Sequence, residues 1–163
     1  MAAGPFTPVI RGYTQATDLH STDAFVIDRI GVGTMYIEAG DMFATCIPYV
    51  IDGAGSAIVA GVAGDHWIPF ACLLTGVTLL ADQVGSIEID LWVDTYANYA
   101  PTVADTIVGG NYPTITATTK YQDLTLTGWT VAIPAGSTLR YNVRSASTVT
   151  RVTVSLAASK VTL

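Results

Sequence analysis

Few residues in this 163-residue chain have the types and spacing that chemistry needs. The two histidines are His20 and His66, the latter between Gly64-Asp65 and Trp67-Ile68-Pro69-Phe70. A Ser–His–Asp triad requires a serine on a positioned elbow and an imidazole within its reach. No Gly-x-Ser-x-Gly occurs, and Gly55-Ser56-Ala57 reads as a plain turn entering a strand. His66 is therefore expected to be a turn residue with a hydrogen-bonded ring. Glu88 and Asp90 stand two apart, so on a strand they share a face, but glycoside hydrolysis needs carboxylates on opposite sides of a cleft. Asp90, Asp94 and Asp105 suit calcium better, because Asp94-Thr95-Tyr96-Ala97-Asn98-Tyr99 is rich in oxygen donors. That loop still lacks the glycine and spaced acids of an EF-hand. Gly31-Val32-Gly33 lacks the third glycine and following helix of a phosphate cradle. No catalytic residue, cofactor or resident metal is expected, and the chain reads as non-enzymatic.

What remains is recognition. Trp92 stands at an outward position of its strand, and Tyr96, Tyr99 and Tyr112 lie in or near the loops that follow. Such a cluster serves as a carbohydrate platform or as the anchor of a protein interface, unless the Tyr96–Pro101 connection covers Trp92 within its own subunit. Residues 1–24 are punctuated by proline, threonine and glycine, with apolar Phe6, Val9, Ile10 and Tyr13 at neither helical nor strand spacing. They read as an extended arm: either a frayed tail or a strap in which Phe6, Ile10 and Tyr13 lie on a neighbouring subunit.

The elements that must position these residues are strands. In Ser86–Asp94 the odd positions Ile87, Ile89, Leu91 and Val93 are aliphatic, while Glu88, Asp90 and Asp94 alternate with them. Leu139–Arg144 and Arg151–Leu156 repeat the two-residue period. Shorter β-type runs are Phe25–Ile27, Met35–Ile37, Ile47–Ile51 and Ala57–Ala60, separated by Gly31/Gly33, Gly40-Asp41 and Asp52–Gly55. Leu74-Thr75-Gly76-Val77 before Gly85-Ser86, and Leu126-Thr127-Gly128-Trp129 before Gly136-Ser137, each suggest strand, glycine turn, strand: two β-hairpins. Glu88 and Asp90 of the first unit and Arg140 and Arg144 of the second then either face solvent or meet across a subunit boundary. The fold class is all-β, an antiparallel β-sandwich or jelly roll over residues 25–163 behind the arm.

Composition sets the outer limits. Half the residues are hydrophobic and only 12 % are charged, which excludes disorder for most of the chain. A formal charge of −6 with two lysines and five arginines argues against a nucleic-acid partner. Threonine occurs 23 times, so hydroxyls supply the polar surface, as suits a protein partly covered by neighbours. Ile47–Ala63 contains Asp52 and several small residues and falls short of a membrane-spanning segment, and Met1–Pro5 lacks the features of a signal peptide. A soluble protein made in a cytoplasm is expected. Cys46 and Cys72 fit no metal spacing, and their apolar surroundings favour free buried thiols over a disulfide.

Residues 66–157 resemble a β-rich structural module of tailed-bacteriophage virion proteins. The likeness runs through Ile68-Pro69-Phe70-Ala71-Cys72, Leu79-Leu80-Ala81-Asp82-Gln83-Val84-Gly85-Ser86-Ile87, the long loop from Asp94 to Ile107, Leu126-Thr127-Gly128-Trp129 and Ser145–Val152. The loop is the specific part. In that family the module often ends a tail-fibre or other virion polypeptide after long upstream regions; here about 65 residues precede it. The departure implies a small virion protein such as a capsid decoration (cement) protein. The implied partners are the major capsid protein and other copies of the chain, as a homotrimer, on the capsid surface of a virion assembled in the host cytoplasm. No membrane or small-molecule substrate is implied. The alternative is a tail-fibre or tail-tip receptor-binding protein that holds glycans.

Overall fold

The computed structural model describes residues 44–161 in full, together with the backbone of two earlier strands, β1 (Ala24–Arg29) and β2 (Gly33–Glu38). These two pair antiparallel, with Phe25 opposite Ile37 and Ile27 opposite Met35, as a two-stranded sheet of their own. The arm residues Phe6, Ile10 and Tyr13 lie outside the described residues.

The remaining strands form one seven-stranded antiparallel sheet, so the all-β expectation holds. They are β3 (Ala44–Asp52), β4 (Gly61–Ile68), β5 (Cys72–Thr95), β6 (Thr114–Asp123), β7 (Ala132–Ile133), β8 (Ser137–Ser147) and β9 (Arg151–Lys160). β5 carries the architecture. Its first half, Cys72–Ala81, pairs with β9, and its second, Ser86–Thr95, pairs with β8 along the same edge. β3 extends the first half beyond β9, and β4 extends the second beyond β8. The sheet therefore has two wings, β3-β9-β5 and β4-β8-β5, joined by a strand that never leaves it. The connections 53–60 and 148–150 line up with residues 82–85 of β5 where the wings meet.

The sheet curls across that line, and its two halves face each other. Tyr49 of β3 stacks on Tyr141 of β8, with centroids 4.1 Å apart and planes at 10°. The core between the wings follows the two-residue period: Val77, Leu79, Val152, Val154 and Leu156 from one side, Ile87, Ile89, Leu91, Leu139 and Val143 from the other. Side chains stitch the bend. The Asp82 carboxylate accepts from the Thr150 hydroxyl and from the backbone N–H groups of Thr150 (3.2 Å) and Arg151 (3.0 Å). Ile58 donates its N–H to Val149 O at 2.9 Å, and Gly53 donates to Thr150 O at 2.8 Å.

Several local expectations are corrected. Gly76 and Gly85 make no hairpin; both lie inside β5. Glycine within a strand marks a bulge or a close approach, and both positions are of that kind. The register with β9 shifts between Leu74 and Gly76, and a Cβ on Gly76 would lie 2.7 Å from Leu124 Cδ2. The second unit is a turn at Gly128 (φ 80°) leading into β7, which pairs with β5 at Cys72 and Leu73 and makes no hairpin with β8. Ala57–Ala60 is irregular, because Ile58 is spent plugging the bend, and the strand begins at Gly61. His66 lies within β4 opposite Leu139, not in a turn. Cys72 is a free buried thiol, but Cys46, on the outer side of β3, is exposed.

Gly85 offers a direct test. A Cβ there would sit 2.6 Å from both the Ser147 carbonyl oxygen and Val149 Cγ2, inside contact distance of backbone that the bend holds fixed. Gly85→Ala is expected to lower unfolding free energy by about 1–3 kcal/mol in urea titration, the ordinary cost of overpacking.

Candidate interaction surfaces

Among the described residues, the outer face of the second wing and the loop that follows β5 gather Trp92, Tyr99, Arg140 and Arg144, which the sequence marks for recognition. Arg140 lies between Asp65 of β4 and Trp92 of β5 in the register, and Trp92 in turn bridges to Thr106. Arg140 grips Asp65 with both ends of its fork, Nε to Oδ1 at 2.6 Å and Nη2 to Oδ2 at 2.7 Å. Its Nη1 donates to Pro101 O at 3.1 Å, and the Tyr99 hydroxyl donates to Asp65 Oδ2 at 2.8 Å. The guanidinium also stands 5.5 Å from the Tyr99 ring centroid. Paired, planar bonding of this kind is the strong form of an ion pair. The hydrogen bond from Arg140 holds the Asp65 carboxyl below its ordinary range, with help from Tyr99 and against the opposing effect of burial.

Two rows further along the sheet, Arg144 Nε meets Glu88 Oε1 at 2.6 Å and lies 3.7 Å over the Tyr112 ring. Of the charges of the two sequence units, Glu88 and Arg144 meet inside one chain and stay partly exposed, while Arg140 takes Asp65 and Asp90 takes the Thr106 hydroxyl. The reason is topological: β5 and β8 are direct neighbours.

The acids proposed for glycoside or calcium chemistry are spread and occupied. Asp90 is buried, against its expected outward exposure, because the 96–113 connection folds back over it and Thr106 Oγ1 donates to it at 2.6 Å. Asp94 Oδ1 accepts from the Thr95 N–H and from Asn98 Nδ2. Asp105 Oδ2 accepts from the Thr102 N–H and hydroxyl in a capping box. No cluster of three or more metal-ligating side chains occurs among the described residues. Trp92 is half-buried and its indole N–H is closed off from solvent without a partner, so it is no open platform. Tyr96 and Tyr99 are exposed.

The outer face of the first wing is different in kind, and the sequence reading passed over it. Cross-strand rows run Val50–Thr153–Leu80–Lys120 and Pro48–Ser155–Thr78–Gln122, then Cys46–Ala157–Gly76 beneath Leu124. Hydroxyls, small residues and aliphatic side chains fill it. Its charges, Asp52 opposite Arg151 at the bend and Lys120 at one margin, leave the middle neutral. Val50, Leu80 and Leu124 are 50 %, 52 % and 63 % exposed. The signal was present in Val152-Thr153-Val154-Ser155-Leu156, whose outward members are hydroxyls; what was missing was which strands flank it.

No family model matches the sequence, and no curated protein matches it. A solved structure titled as that of infectious bursal disease virus, Gx strain, contains a chain that is similar at 12 % identity with a TM-score of 0.30. The likeness covers 85 % of this chain and 42 % of that one, so this chain spans less than half of its neighbour's length. The functional reading rests on the residues and the sheet.

Removing the Arg140 fork leaves Asp65 with Tyr99 alone. Arg140→Ala is expected to cost about 2 kcal/mol in urea titration, the scale of charge-assisted hydrogen bonds. Because the folded pKa of Asp65 is depressed, its stabilisation is complete above the unfolded value of about 4 and is lost as pH falls through the folded value. The difference between wild type and Arg140→Ala should therefore shrink on acidification below pH ~4 and stay constant above it.

Proposed function

We propose that this chain is a non-enzymatic structural protein of a tailed-phage virion, a capsid decoration protein carried on the head surface. Its partners are the major capsid protein and further copies of itself, as a homotrimer assembled in the host cytoplasm. The observation that carries the reading is the neutral outer face of the first wing, with Val50, Leu80 and Leu124 open on a four-strand platform. The polar side chains of the second wing are meanwhile committed to one another: Arg140 to Asp65, Arg144 to Glu88, Thr106 to Asp90. A scaffold that presents a neutral surface suits attachment by many weak, repeated contacts, which add through multivalency. The resemblance of residues 66–157 to a phage virion module supplies the setting.

A second reading has its own observation. Trp67 and Tyr96 are 57 % and 74 % exposed near one end of the second wing, and exposed aromatics hold sugars on a receptor-binding tail protein.

Gold-labelled antibody against the chain, applied to purified particles of the phage that carries it, tests the assignment. Label over the head is the expected outcome. Label at the tail tip, with glycan-array binding lost in Tyr96→Ala, would replace decoration by receptor binding. Particles without label would overturn both.

A further inference from the structure

The connection after β5 divides at Thr106. From there onward it belongs to the core: Thr106 bridges to Trp92, Ile107 donates its N–H to Leu91 O at 2.9 Å, and Ile107 and Val108 are buried. Before Thr106 it is held differently. Against the described residues, Pro101 is the one buried residue of the stretch 96–104. Asn98 bonds back to Asp94 at the root of the stretch, and the capping box of Thr102 and Asp105 closes on itself. Past that root, among the described residues, two side-chain bonds tie the stretch to the sheet. The Tyr99 hydroxyl donates to Asp65 Oδ2 at 2.8 Å, and Arg140 Nη1 donates to Pro101 O at 3.1 Å. Arg140 is itself aimed by the Asp65 carboxylate, which takes Nε at 2.6 Å and Nη2 at 2.7 Å. Both ties therefore run through one negative charge. We propose that residues 96–105 are a flap latched to β4 and β8 by the Asp65 carboxylate, and that acid, by removing this charge, releases the flap and uncovers the row Asp65–Arg140–Trp92.

The closed state also carries a cost. Trp92 stands beside Arg140 in the register, and its indole N–H is shut off from solvent with no acceptor. A buried donor left unpaired costs free energy that water returns on opening. The latch offsets this cost while Asp65 is ionised, because a carboxylate accepts from Arg140 and Tyr99 together, whereas a protonated carboxyl turns one oxygen into a donor. The groups that face Asp65 are Arg140 from β8, Tyr99 from the flap and Tyr49 from β3, whose hydroxyl feels the Asp65 charge. Asp94 stands one outward row along and two strands away, and His66, next on β4, points to the other face of the sheet. The hydrogen bond from Arg140, opposed by burial and helped by Tyr99, keeps the Asp65 carboxyl below its ordinary range. The latch is therefore whole above the unfolded value of about 4 and fails as pH falls through the folded value. This device goes beyond the virion reading and does not depend on it.

Chymotrypsin reads the flap on the full chain, because it cuts after tyrosine where the backbone is free to enter its cleft, and slow nicking tracks the population of the open form. At pH 7, Asp65→Asn is expected to speed cleavage after Tyr96 by about tenfold, the scale of one lost charge-assisted hydrogen bond, with cleavage after Tyr121 of β6 unchanged. Tyr99→Phe removes the flap's own bond and leaves the pair of Arg140 and Asp65 in place. It should speed the same cut by about threefold, since the Tyr99 hydroxyl bond is exposed, and it decides the matter should Asp65→Asn loosen the whole fold. The acid arm uses acrylamide quenching of tryptophan fluorescence in a Trp67→Phe background, where buried Trp129 supplies a constant part. Quenching should rise below pH ~4 before the circular dichroism spectrum changes, and with Asp65→Asn added it should already be high at pH 7. Cleavage after Tyr96 that Tyr99→Phe leaves unchanged, cleavage that rises only in step with that after Tyr121, or quenching that stays flat until the sheet unfolds would each overturn the inference.

Discussion

The structure depends on β5 passing through the bend without leaving the sheet. A strand of 24 residues that changes partners halfway, from β9 to β8, obliges both wings to share one backbone. The bend must then be held at a fixed place. Gly85 lets the β8–β9 corner come close, and the Asp82 carboxylate collects the donors that the corner leaves free. Its hydrogen bonds, led by that from the Thr150 hydroxyl, hold the Asp82 carboxyl below its ordinary range. With the line fixed, alternation along each strand sends the aliphatic residues between the wings, and the remaining side chains fall on two outer faces.

Those outer faces divide the work. In the second wing, charged residues face their opposites across neighbouring strands, and the 96–113 connection packs over them, bonded to Arg140 through Pro101 and to Asp65 through Tyr99. Charge there is spent on internal order. In the middle of the first wing the outward positions are mostly threonine, serine, alanine, proline and aliphatic residues, with charge kept to the margins, and they demand little desolvation from an incoming surface. On the decoration role proposed above, charges paired within one wing leave the other as a neutral platform for contact.

Much of this was legible in the sequence. The two-residue period in Ser86–Asp94, Leu139–Arg144 and Arg151–Leu156 identified three core strands and their buried sides. Two kinds of information were missing. Glycine has the same letter in a turn as at a close approach, so Gly76 and Gly85 suggested hairpins where the backbone runs straight on. Pairing is also non-local. Nothing in the local pattern says that Asp65 lies beside Arg140, that Glu88 reaches Arg144, or that Thr106 returns to cover Asp90. Trp92 keeps its outward parity, and of the two readings open to it the structure favours cover by a later segment of its own chain, through the bridge to Thr106.

The central claim is that contact is made by the neutral wing and not by the charged one. Hydroxyl-radical footprinting of the full chain, dilute and then assembled, measures this residue by residue. Oxidation of Val50, Leu80 and Leu124 should fall on assembly while Trp67 and Tyr96 stay as reactive as before. Protection of Trp67 and Tyr96 with the three aliphatic residues unchanged would contradict the account.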